Sequence, residues 1–531
     1  MIQQELFIIF IQLIFSGFLF WFFLKISSCG YFLNLCLIIL SALIFSDPIQ
    51  DSRSIISFVL WIVLPQLSLN SVLFVFVTRS SPTDIPRKYK IKFPLERGKL
   101  TIENVRRGVS IIGAAGSGKT ESVVYNFLQH FSKYSFCGII HDYKSFELTE
   151  IAYPLFKKGD IPFYIVSFDQ IYHRVNPIAP RYLPDEESVN EVSRVLLENL
   201  LEQKDSISSG TTKFFNDAVE GLIAGLIWKL KTSYPEYCTL PHLIALYQFL
   251  NTASLLTFLN SNLTSKAMAD AFISGIESER QTAAVKSTLA NAFKKISTQR
   301  IFMTLSADEV PLDINNPQNP AVVSIVNNPK FETAYSPAIA TIIHTIVKQM
   351  SVRKRESSFI LLEEAPTIRL LNMHRIPATL RSYDIASVYV MQDKIQNELL
   401  YGEKASRAIL SNLSYQFFGK VNDPDTAKYY ERFFEIVKRQ SISTSQSENL
   451  DFDTRITKSE REVSKIRADV FFRLQPGEFI TFADGKDQAV KFSLEKMEKR
   501  KPTRFLGYSQ NDIQENFERI HFEVRSIFAL Q

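Results

Sequence analysis

A glycine-rich segment that ends in lysine and threonine offers the clearest chemistry in the chain. Residues 113–120 read GAAGSGKT and fit the pattern G-x-x-x-x-G-K-[ST]. Glycines let backbone N–H groups surround phosphate oxygens, the Lys119 ammonium can reach the β- and γ-phosphates, and the Thr120 hydroxyl can ligate Mg²⁺. The segment therefore predicts a site for ATP and Mg²⁺. The predicted nucleotide-binding residues are Gly113, Ala114, Ala115, Gly116, Ser117, Gly118, Lys119, Thr120 and Glu121.

The residues on either side of this segment fit a strand–loop–helix context. Val109–Ile112 is a short apolar run typical of a buried strand, and Val123, Phe127 and Phe131 recur at helical spacing. A helix that begins at the phosphates contributes its positive N-terminal end. The motif in this context predicts a P-loop NTPase, an enzyme that hydrolyses ATP.

Two adjacent carboxylates follow a second apolar run. Phe359–Leu362 precedes Glu363 and Glu364, and ligands of open α/β sheets bind at the C-terminal edge of such strands. Glu363 is predicted to hold Mg²⁺ together with Thr120, and Glu364 to polarise the attacking water. The alternative interpretation is a Glu-Glu pair that begins a solvated loop.

A glutamine and three arginines complete the candidate catalytic set. Gln392 follows the apolar run 386–391 and is predicted to sense the γ-phosphate. Arg381 precedes that run, and Arg106 and Arg107 precede the P-loop strand. An arginine supplied by a neighbouring subunit stabilises the transferring phosphoryl group. The alternative for each arginine is a surface ion pair. The predicted catalytic residues are Lys119, Glu364, Gln392 and Arg381.

Composition excludes several classes of protein. The 531 residues are 46% hydrophobic and 22% charged, which rules out a disordered chain. The cysteines and histidines occur at no metal-ligand spacing, so neither a zinc enzyme nor a disulfide scaffold is predicted. The basic excess is local, with seven Lys or Arg against two acidic residues in 79–100. Global charge therefore gives no argument for nucleic-acid binding.

The first 78 residues are predicted to lie in a membrane. Three uncharged runs, 6–24, 26–46 and 54–78, follow one another, and the first is long enough for a helix of about 28 Å. The basic cluster at 79–100 places the rest of the chain in the cytoplasm. The prediction is a multi-pass protein of the bacterial inner membrane with two or three spans.

The remaining chain predicts an α/β ATPase domain with an all-α insertion. The predicted domains are a transmembrane region at 1–78, a basic linker at 79–100, an ATPase domain at 101–184 and 306–498, an all-α domain at 185–305, and a tail helix at 499–531. Residues 441–464 are polar and are predicted to form a flexible loop.

The order of these motifs resembles a known family. The segments are GAAGSGKTES (113–122), HDYKSFELTE (141–150), VNPIAP (175–180), LLEEAPTI (361–368), 391–430 and 474–492. They are similar to the conjugative coupling proteins of type IV secretion systems, the TraG/TraD-like group of the FtsK–HerA P-loop ATPases. The LLEEAPTI form resembles the Bacteroidetes mobilisation variants. The chain departs from the family in HDYKSFE, where Asp-Pro-Lys-Gly-Glu is usual, and in Glu363, where Asp is usual.

The resemblance implies an RecA-like ATPase in a membrane-anchored homo-oligomer, expected to be a hexamer. ATP would lie between subunits, with Arg381 and Arg107 reaching a neighbour's nucleotide. The helical insertion would meet a relaxase bound to single-stranded DNA, and the ATPase would deliver that complex to a type IV secretion channel during conjugation.

Two other functions remain open at this point. One is an FtsK-like translocase of double-stranded DNA, and the other is a docking receptor that binds nucleotide but hydrolyses little of it. A small-molecule kinase is poorly supported, because no acceptor-site motif accompanies the P-loop. Candidate DNA contacts in the pore are Lys286, Lys294, Lys295, Arg300 and the segment 438–467.

Overall fold

The structure is a computed structural model that describes residues 85–201, 210–446, 454–494, 496–503 and 507–528. Its strands are β1 Ile91–Pro94, β2 Lys99–Ile102, β3 Val109–Ile112, β4 Cys137–Asp142, β5 Phe163–Ser167, β6 Val322–Val326, β7 Ser358–Leu362, β8 Ile385–Met391, β9 Tyr415–Phe418, β10 Ile436–Gln446, β11 Thr454–Ser464, β12 Glu478–Ala483 and β13 Lys486–Lys491.

The α-helices alternate with these strands, except for a long helical stretch between β5 and β6. They are α1 Tyr125–Lys133, α2 Glu147–Phe156, α3 Glu186–Leu200, α4 Gly210–Ser233, α5 Leu240–Phe249, α6 Thr252–Asn260, α7 Leu263–Met268, α8 Asp270–Ser274, α9 Glu279–Ile296, α10 Gln299–Leu305, α11 Glu332–Met350, α12 Ile376–Leu380, α13 Lys394–Tyr401, α14 Glu403–Ser411, α15 Pro424–Glu431, α16 Ala468–Arg473 and α17 Gln510–Phe528.

A nine-stranded mixed sheet organises the molecule, in the order β13-β12-β9-β3-β8-β7-β4-β6-β5. Every pairing from β9 to β5 is parallel, and β12 is antiparallel to both of its neighbours. The central strands are buried along their whole length, as continuous apolar runs in parallel sheets are. The predicted α/β class is confirmed.

Helices cover both faces of the sheet. Phe131 of α1 stacks on Phe359 of β7 with ring centroids 4.4 Å apart. Ile360 and Leu362 point to the opposite face, where they line a small cavity together with Val347 of α11. Because successive side chains of a strand alternate between faces, this short run fills two packed layers at once. The carboxylates that follow β7 are therefore held by a rigid strand.

The helical stretch between β5 and β6 extends from α3 to α10, and the C-terminal helix packs against it. Phe517 of α17 has its ring centroid 4.8 Å from that of Phe302, and Glu523 Oε2 lies 3.0 Å from His242 Nε2. Ile520 and Val524 are buried. A helix thus lies within the predicted tail segment 499–531, over Gln510–Phe528.

The prediction of a flexible loop at 441–464 was wrong for residues 441–446 and 454–464, which form strands, while 447–453 lie outside the described residues. β10 and β11 pair antiparallel in a two-stranded ribbon, with Ile436 opposite Ser464 and Gln446 opposite Thr454. Because these two strands show no regular alternation of apolar and polar residues, they lack the usual sequence signal of a strand.

Membrane spans were predicted only within residues 1–78, which lie outside the described residues. Among the residues that the structure describes, no helix combines the length and the apolar character needed to cross a bilayer.

Candidate nucleotide-binding site

The P-loop follows β3 near the middle of the sheet. The Gly113 N–H donates to Met391 O at 3.2 Å and the Ala114 N–H to Lys420 O at 2.7 Å, so the strand ends on either side anchor the start of the loop. Gly116 and Gly118 have φ of 75° and 84°, a conformation that glycine adopts at little cost. A Cβ at Gly118 would lie 2.8 Å from the Gly477 nitrogen. The glycines of the motif are thus required by backbone geometry.

Lys119 lies in the concave side of this loop. Its ammonium donates to Gly113 O at 2.5 Å and to Ala114 O at 3.3 Å. Burial lowers the pKa of Lys119, and the charges of Glu364 and Glu363 act in the opposite direction. A half-buried cation beside flexible glycines fits a triphosphate, because phosphate oxygens are stronger acceptors for ammonium than backbone carbonyls are.

Glu363 is 5% exposed and lies at the end of β7 beside β4. Its Oε2 accepts the Tyr143 N–H at 3.3 Å, and its Oε1 is 3.7 Å from Lys144 Nζ. Burial, and then the nearby Asp142 carboxylate, raises the pKa of Glu363 to about 8. A cation at this position would favour the ionised carboxylate. The side chain therefore fits the predicted role of a magnesium ligand.

Asp142 ends the neighbouring strand β4 and is fully buried. It accepts bonds from the Thr149 N–H at 2.7 Å and the Thr149 hydroxyl at 2.6 Å, so it stabilises the turn between β4 and α2. Burial raises the pKa of Asp142 to about 6. The adjacent His141 bonds through Nδ1 to Glu363 O at 2.9 Å. The end of β4 thus holds the end of β7 in position through the bond between His141 and Glu363.

Glu364 is 4% exposed and adopts a left-handed backbone conformation with φ of 46°. Its Oε2 accepts a hydrogen bond from Gln392 Nε2 at 3.1 Å. Its Oε1 is buried and has no hydrogen-bond partner among the described residues. A buried, unpaired carboxylate oxygen is costly unless a ligand satisfies it, and a water or a substrate hydroxyl group can do so.

A cavity of about 530 Å³ opens beside Glu364. It lies among the end of β7, α11, α13 and the end of α3, and Arg369 in its lining pairs with Glu198 at 3.2 Å. Gln392 and Tyr143 also face it, and the Tyr143 hydroxyl donates to Glu332 Oε2 at 2.9 Å. The Glu364 side chain thus forms part of the wall of a cavity that can hold a ligand.

The predicted arginines lie at the other end of the strands. Arg106 is 3.4 Å from Asp384, and Arg107 is 2.8 Å from Asp484, so both form ion pairs within the chain. Arg381 is exposed, and it forms no salt bridge to a described residue. Within one chain, the structure brings Lys119, Glu363, Glu364 and Gln392 to one edge of the sheet and leaves these arginines at the opposite edge.

The candidate DNA-contacting residues differ in whether their side chains already bond to other residues of the chain. Lys286 donates to Thr252 Oγ1 at 2.8 Å, Lys295 donates to Leu200 O at 2.7 Å, and Arg300 lies 3.4 Å from Asp169. Lys294 is exposed. Three of the four basic side chains thus already bond within the helical stretch or to its base.

Sequence reasoning missed the turn that closes over the P-loop. The Gly477 N–H donates to Ser117 O at 3.0 Å, and Gly477 has φ of 83°. The Pro-Gly pair before β12 was the available signal, since it marks a turn. Nothing local connects that turn to a loop 360 residues earlier. Sequence reasoning also assigned no role to Lys144, which the structure places beside Glu363.

Comparison with known proteins identifies one segment of the chain and its overall fold. Residues 358–474 match the family described as the TraM recognition site of TraD and TraG. No curated protein matches the chain. The bacterial conjugative coupling protein TrwBdeltaN70 in its unbound form superposes with a TM-score of 0.59 at 12% identity, over 80% of this chain and 92% of that one.

The match over residues 358–474 agrees with the predicted resemblance to conjugative coupling proteins. Two further structures of the plasmid coupling protein TrwB have the same fold as this chain. The complex with ADP and Mg²⁺ is 13% identical and has a TM-score of 0.57, covering 75% of this chain and 87% of that one. The complex with the ATP analogue ADPNP is 12% identical with the same TM-score, covering 76% and 89%. At these identities the likeness of coupling proteins to this chain is one of fold.

Proposed function

We propose that this chain is a membrane-anchored ATPase that recruits a relaxase bound to single-stranded DNA and drives the complex to a type IV secretion channel. The observation that carries the proposal is the placement of Lys119, Glu363 and Glu364 at the same C-terminal edge of the parallel sheet, close enough for their charges to interact. The matched segment 358–474 supports a conjugative role. The bonds of Gln392 to Glu364 and of Gly477 to the P-loop support a site built for nucleotide.

The chain's own residues divide the chemistry of hydrolysis among them. Gly113–Thr120, with Glu121, would hold the phosphates, and Lys119 would exchange its carbonyl partners for phosphate oxygens. Thr120 and Glu363 would hold Mg²⁺, which neutralises charge on the phosphates when it is bound. Glu364 would orient the attacking water through its unpaired oxygen, and Gln392 would sense the γ-phosphate through the carboxylate that it contacts.

The proposal includes an assembly, because the arginines lie at the far ends of the strands. In a ring, expected to be a hexamer, Arg381 would reach the nucleotide of a neighbouring subunit. Arg107 is a weaker candidate, since it would first have to leave Asp484. Residues 1–78 would anchor the ring in the inner membrane by two or three spans, with the ATPase in the cytoplasm. The domain division given above, with an all-α insertion at 185–305, belongs to the same proposal.

Substitution of the P-loop lysine tests the proposal. Lys119→Ala should reduce ATP hydrolysis on the order of 10²–10³-fold, because it removes the ammonium that stabilises the negative charge developing on the phosphate oxygens in the transition state. It should also abolish conjugative transfer. Lys158→Ala is the matched control, because Lys158 is largely exposed and Glu498 is its one salt-bridge partner among the described residues. Both variants should fractionate with membranes. Normal transfer by the Lys119→Ala protein would contradict a motor.

One observation favours the docking receptor as a second candidate. Glu363 stands where the coupling proteins that the chain resembles usually have Asp, and its carboxylate lies beside that of buried Asp142. ATP hydrolysis with and without single-stranded DNA separates the two functions. Stimulation by DNA supports the motor, whereas nucleotide binding without stimulated hydrolysis supports the receptor.

A further inference from the structure

The ends of the parallel strands opposite the nucleotide site carry a basic turn that the proposed chemistry does not use. This turn, residues 351–357, joins α11 to β7. Arg353 and Lys354 are exposed, and Val352 between them and the helix is 43% exposed. Lys354 has φ of 61°, so the backbone turns sharply at this point. The turn therefore presents an apolar side chain next to two cations.

The start of the described chain lies against the same turn. The 3₁₀ turn Arg87–Tyr89 places Lys88 Nζ 2.7 Å from Ser357 Oγ, and the Tyr89 hydroxyl is 3.4 Å from the same atom. Arg87 is exposed. Two basic segments separated by 269 positions in sequence thus converge on one edge of the sheet. We call residues Arg87, Lys88 and 351–357 the basic edge.

The charges of the basic edge are only partly neutralised. Asp384 pairs with Lys88 at 3.9 Å and with Arg106 at 3.4 Å, and exposed Glu356 is the acidic residue of the turn itself. Arg87, Arg353 and Lys354 form no salt bridge with any residue that the structure describes. Three exposed cations therefore lack an anionic partner within this part of the chain.

We propose that the basic edge docks on the anionic phospholipid headgroups of the membrane in which the chain is anchored. This inference rests on the proposed membrane anchor. The third uncharged run ends at Thr78, and the nine residues from there to Arg87 can reach at most about 32 Å. A connection of this length allows the basic edge to reach the bilayer surface, where anionic lipids attract basic segments.

The mixed character of the turn favours lipid over nucleic acid. A basic segment with an exposed apolar side chain suits the boundary between headgroups and acyl chains, which binds both. Single-stranded nucleic acid is bound by aromatic faces beside cations. The aromatic ring at the basic edge, Tyr89, is buried, and the Arg106 guanidinium covers it at 3.8 Å from the centroid.

Hydrogen exchange on the full chain tests this proposal. The protein is reconstituted into nanodiscs of phosphatidylcholine alone or of phosphatidylcholine and phosphatidylglycerol at about 7:3, the anionic lipid that supplies the surface charge. Exchange of residues 351–357 should be several-fold slower in the anionic discs. Each basic residue near an anionic surface strengthens association by roughly fivefold, so Arg353→Gln with Lys354→Gln should weaken docking by about 25-fold and remove the difference. ATP hydrolysis should be unchanged.

The matched control is Lys266→Gln with Arg280→Gln, which removes two exposed cations from the helical stretch. This control should keep the full lipid dependence. Equal exchange in the two kinds of disc would overturn the proposal, as would equal effects of the two double variants. Slower exchange with a single-stranded oligonucleotide in neutral discs, but not with anionic lipid, would reassign the edge to nucleic acid. Failure to enter discs contradicts the anchor instead, and the edge is then tested with added 7:3 vesicles.

Discussion

The two ends of the parallel strands are built from charged residues in opposite ways. At the C-terminal ends, Glu363, Glu364 and Asp142 are buried, and one oxygen of Glu364 is without a partner among the described residues. At the N-terminal ends, Arg106 and Arg107 lie in half-exposed ion pairs with Asp384 and Asp484. Buried, incompletely satisfied carboxylates are costly and mark a site that awaits a ligand. The paired or exposed cations at the N-terminal ends suit contacts with another subunit or with the membrane surface.

The largest effect is expected from an exposed arginine at the N-terminal end. Arg381→Ala should lower ATP hydrolysis about 10³-fold if this side chain reaches a neighbour's nucleotide, because such arginines stabilise transition-state charge. Arg106→Ala is the control at the same end, since that residue already pairs with Asp384. It should cost at most about 1 kcal/mol of stability and leave turnover intact. Equal turnover of the two variants would exclude Arg381 from catalysis.

At the C-terminal end, Glu364→Gln should separate binding from hydrolysis. The amide keeps the shape of the side chain and its contact with Gln392, but it cannot accept a proton from water. Hydrolysis should fall on the order of 10²-fold while nucleotide affinity changes little. Single-turnover kinetics together with equilibrium binding measure both quantities. A parallel loss of affinity would show that Glu364 contributes to binding rather than to the reaction of water.

A smaller effect is expected where the Pro-Gly turn meets the P-loop. Gly477→Ala strains a backbone at φ of 83° and disturbs the bond to Ser117 O, so nucleotide affinity should fall about fivefold, equivalent to ~1 kcal/mol. Gly485→Ala imposes similar strain at φ of 76° in the β12–β13 turn, with no atom within 4 Å of its Cβ. That control should lower stability slightly and leave affinity unchanged. Titration with a fluorescent nucleotide distinguishes the two.

Between the two ends, α11 carries a buried histidine that makes stability depend on pH. Burial lowers the pKa of His344 to about 4, with Glu191 and Lys348 as its charged neighbours. The His344 imidazole is therefore protonated below about pH 6.5 in the unfolded chain, whereas in the folded chain it stays neutral until a lower pH. The contribution of neutral His344 to the free energy of unfolding is complete above that pH, and about 2 kcal/mol of it is lost by pH 5.

Thermal unfolding of the full chain at pH 7.5 and pH 5 measures this term. His344→Gln should narrow the difference between the two melting temperatures, because glutamine does not titrate between these two pH values. His141, whose pKa burial also lowers to about 4, remains in the variant, so part of the acid sensitivity should persist. An unchanged difference would show that His344 is protonated in the folded chain.

Local patterns predicted the parts of the site that lie on single strands. The apolar runs before Gly113, Glu363 and Gln392 each indicated a buried strand, and the carboxyl ends of parallel strands share one edge. The contact between Gln392 and Glu364 follows from that rule. The short range of such patterns also explains the failures. The ribbon of β10 and β11 carries no apolar alternation, and the bond from Gly477 to Ser117 depends on how β12 joins the sheet.

Uptake of nucleotide by the intact chain tests the central claim most directly. Calorimetry of the full-length protein with a non-hydrolysable ATP analogue and Mg²⁺ should show saturable binding of about one nucleotide per chain, as one P-loop implies, and none with Lys119→Ala. Absence of heat and of bound nucleotide for the unsubstituted protein at millimolar analogue would contradict the assignment of residues 113–120 and 363–364 to a nucleotide site.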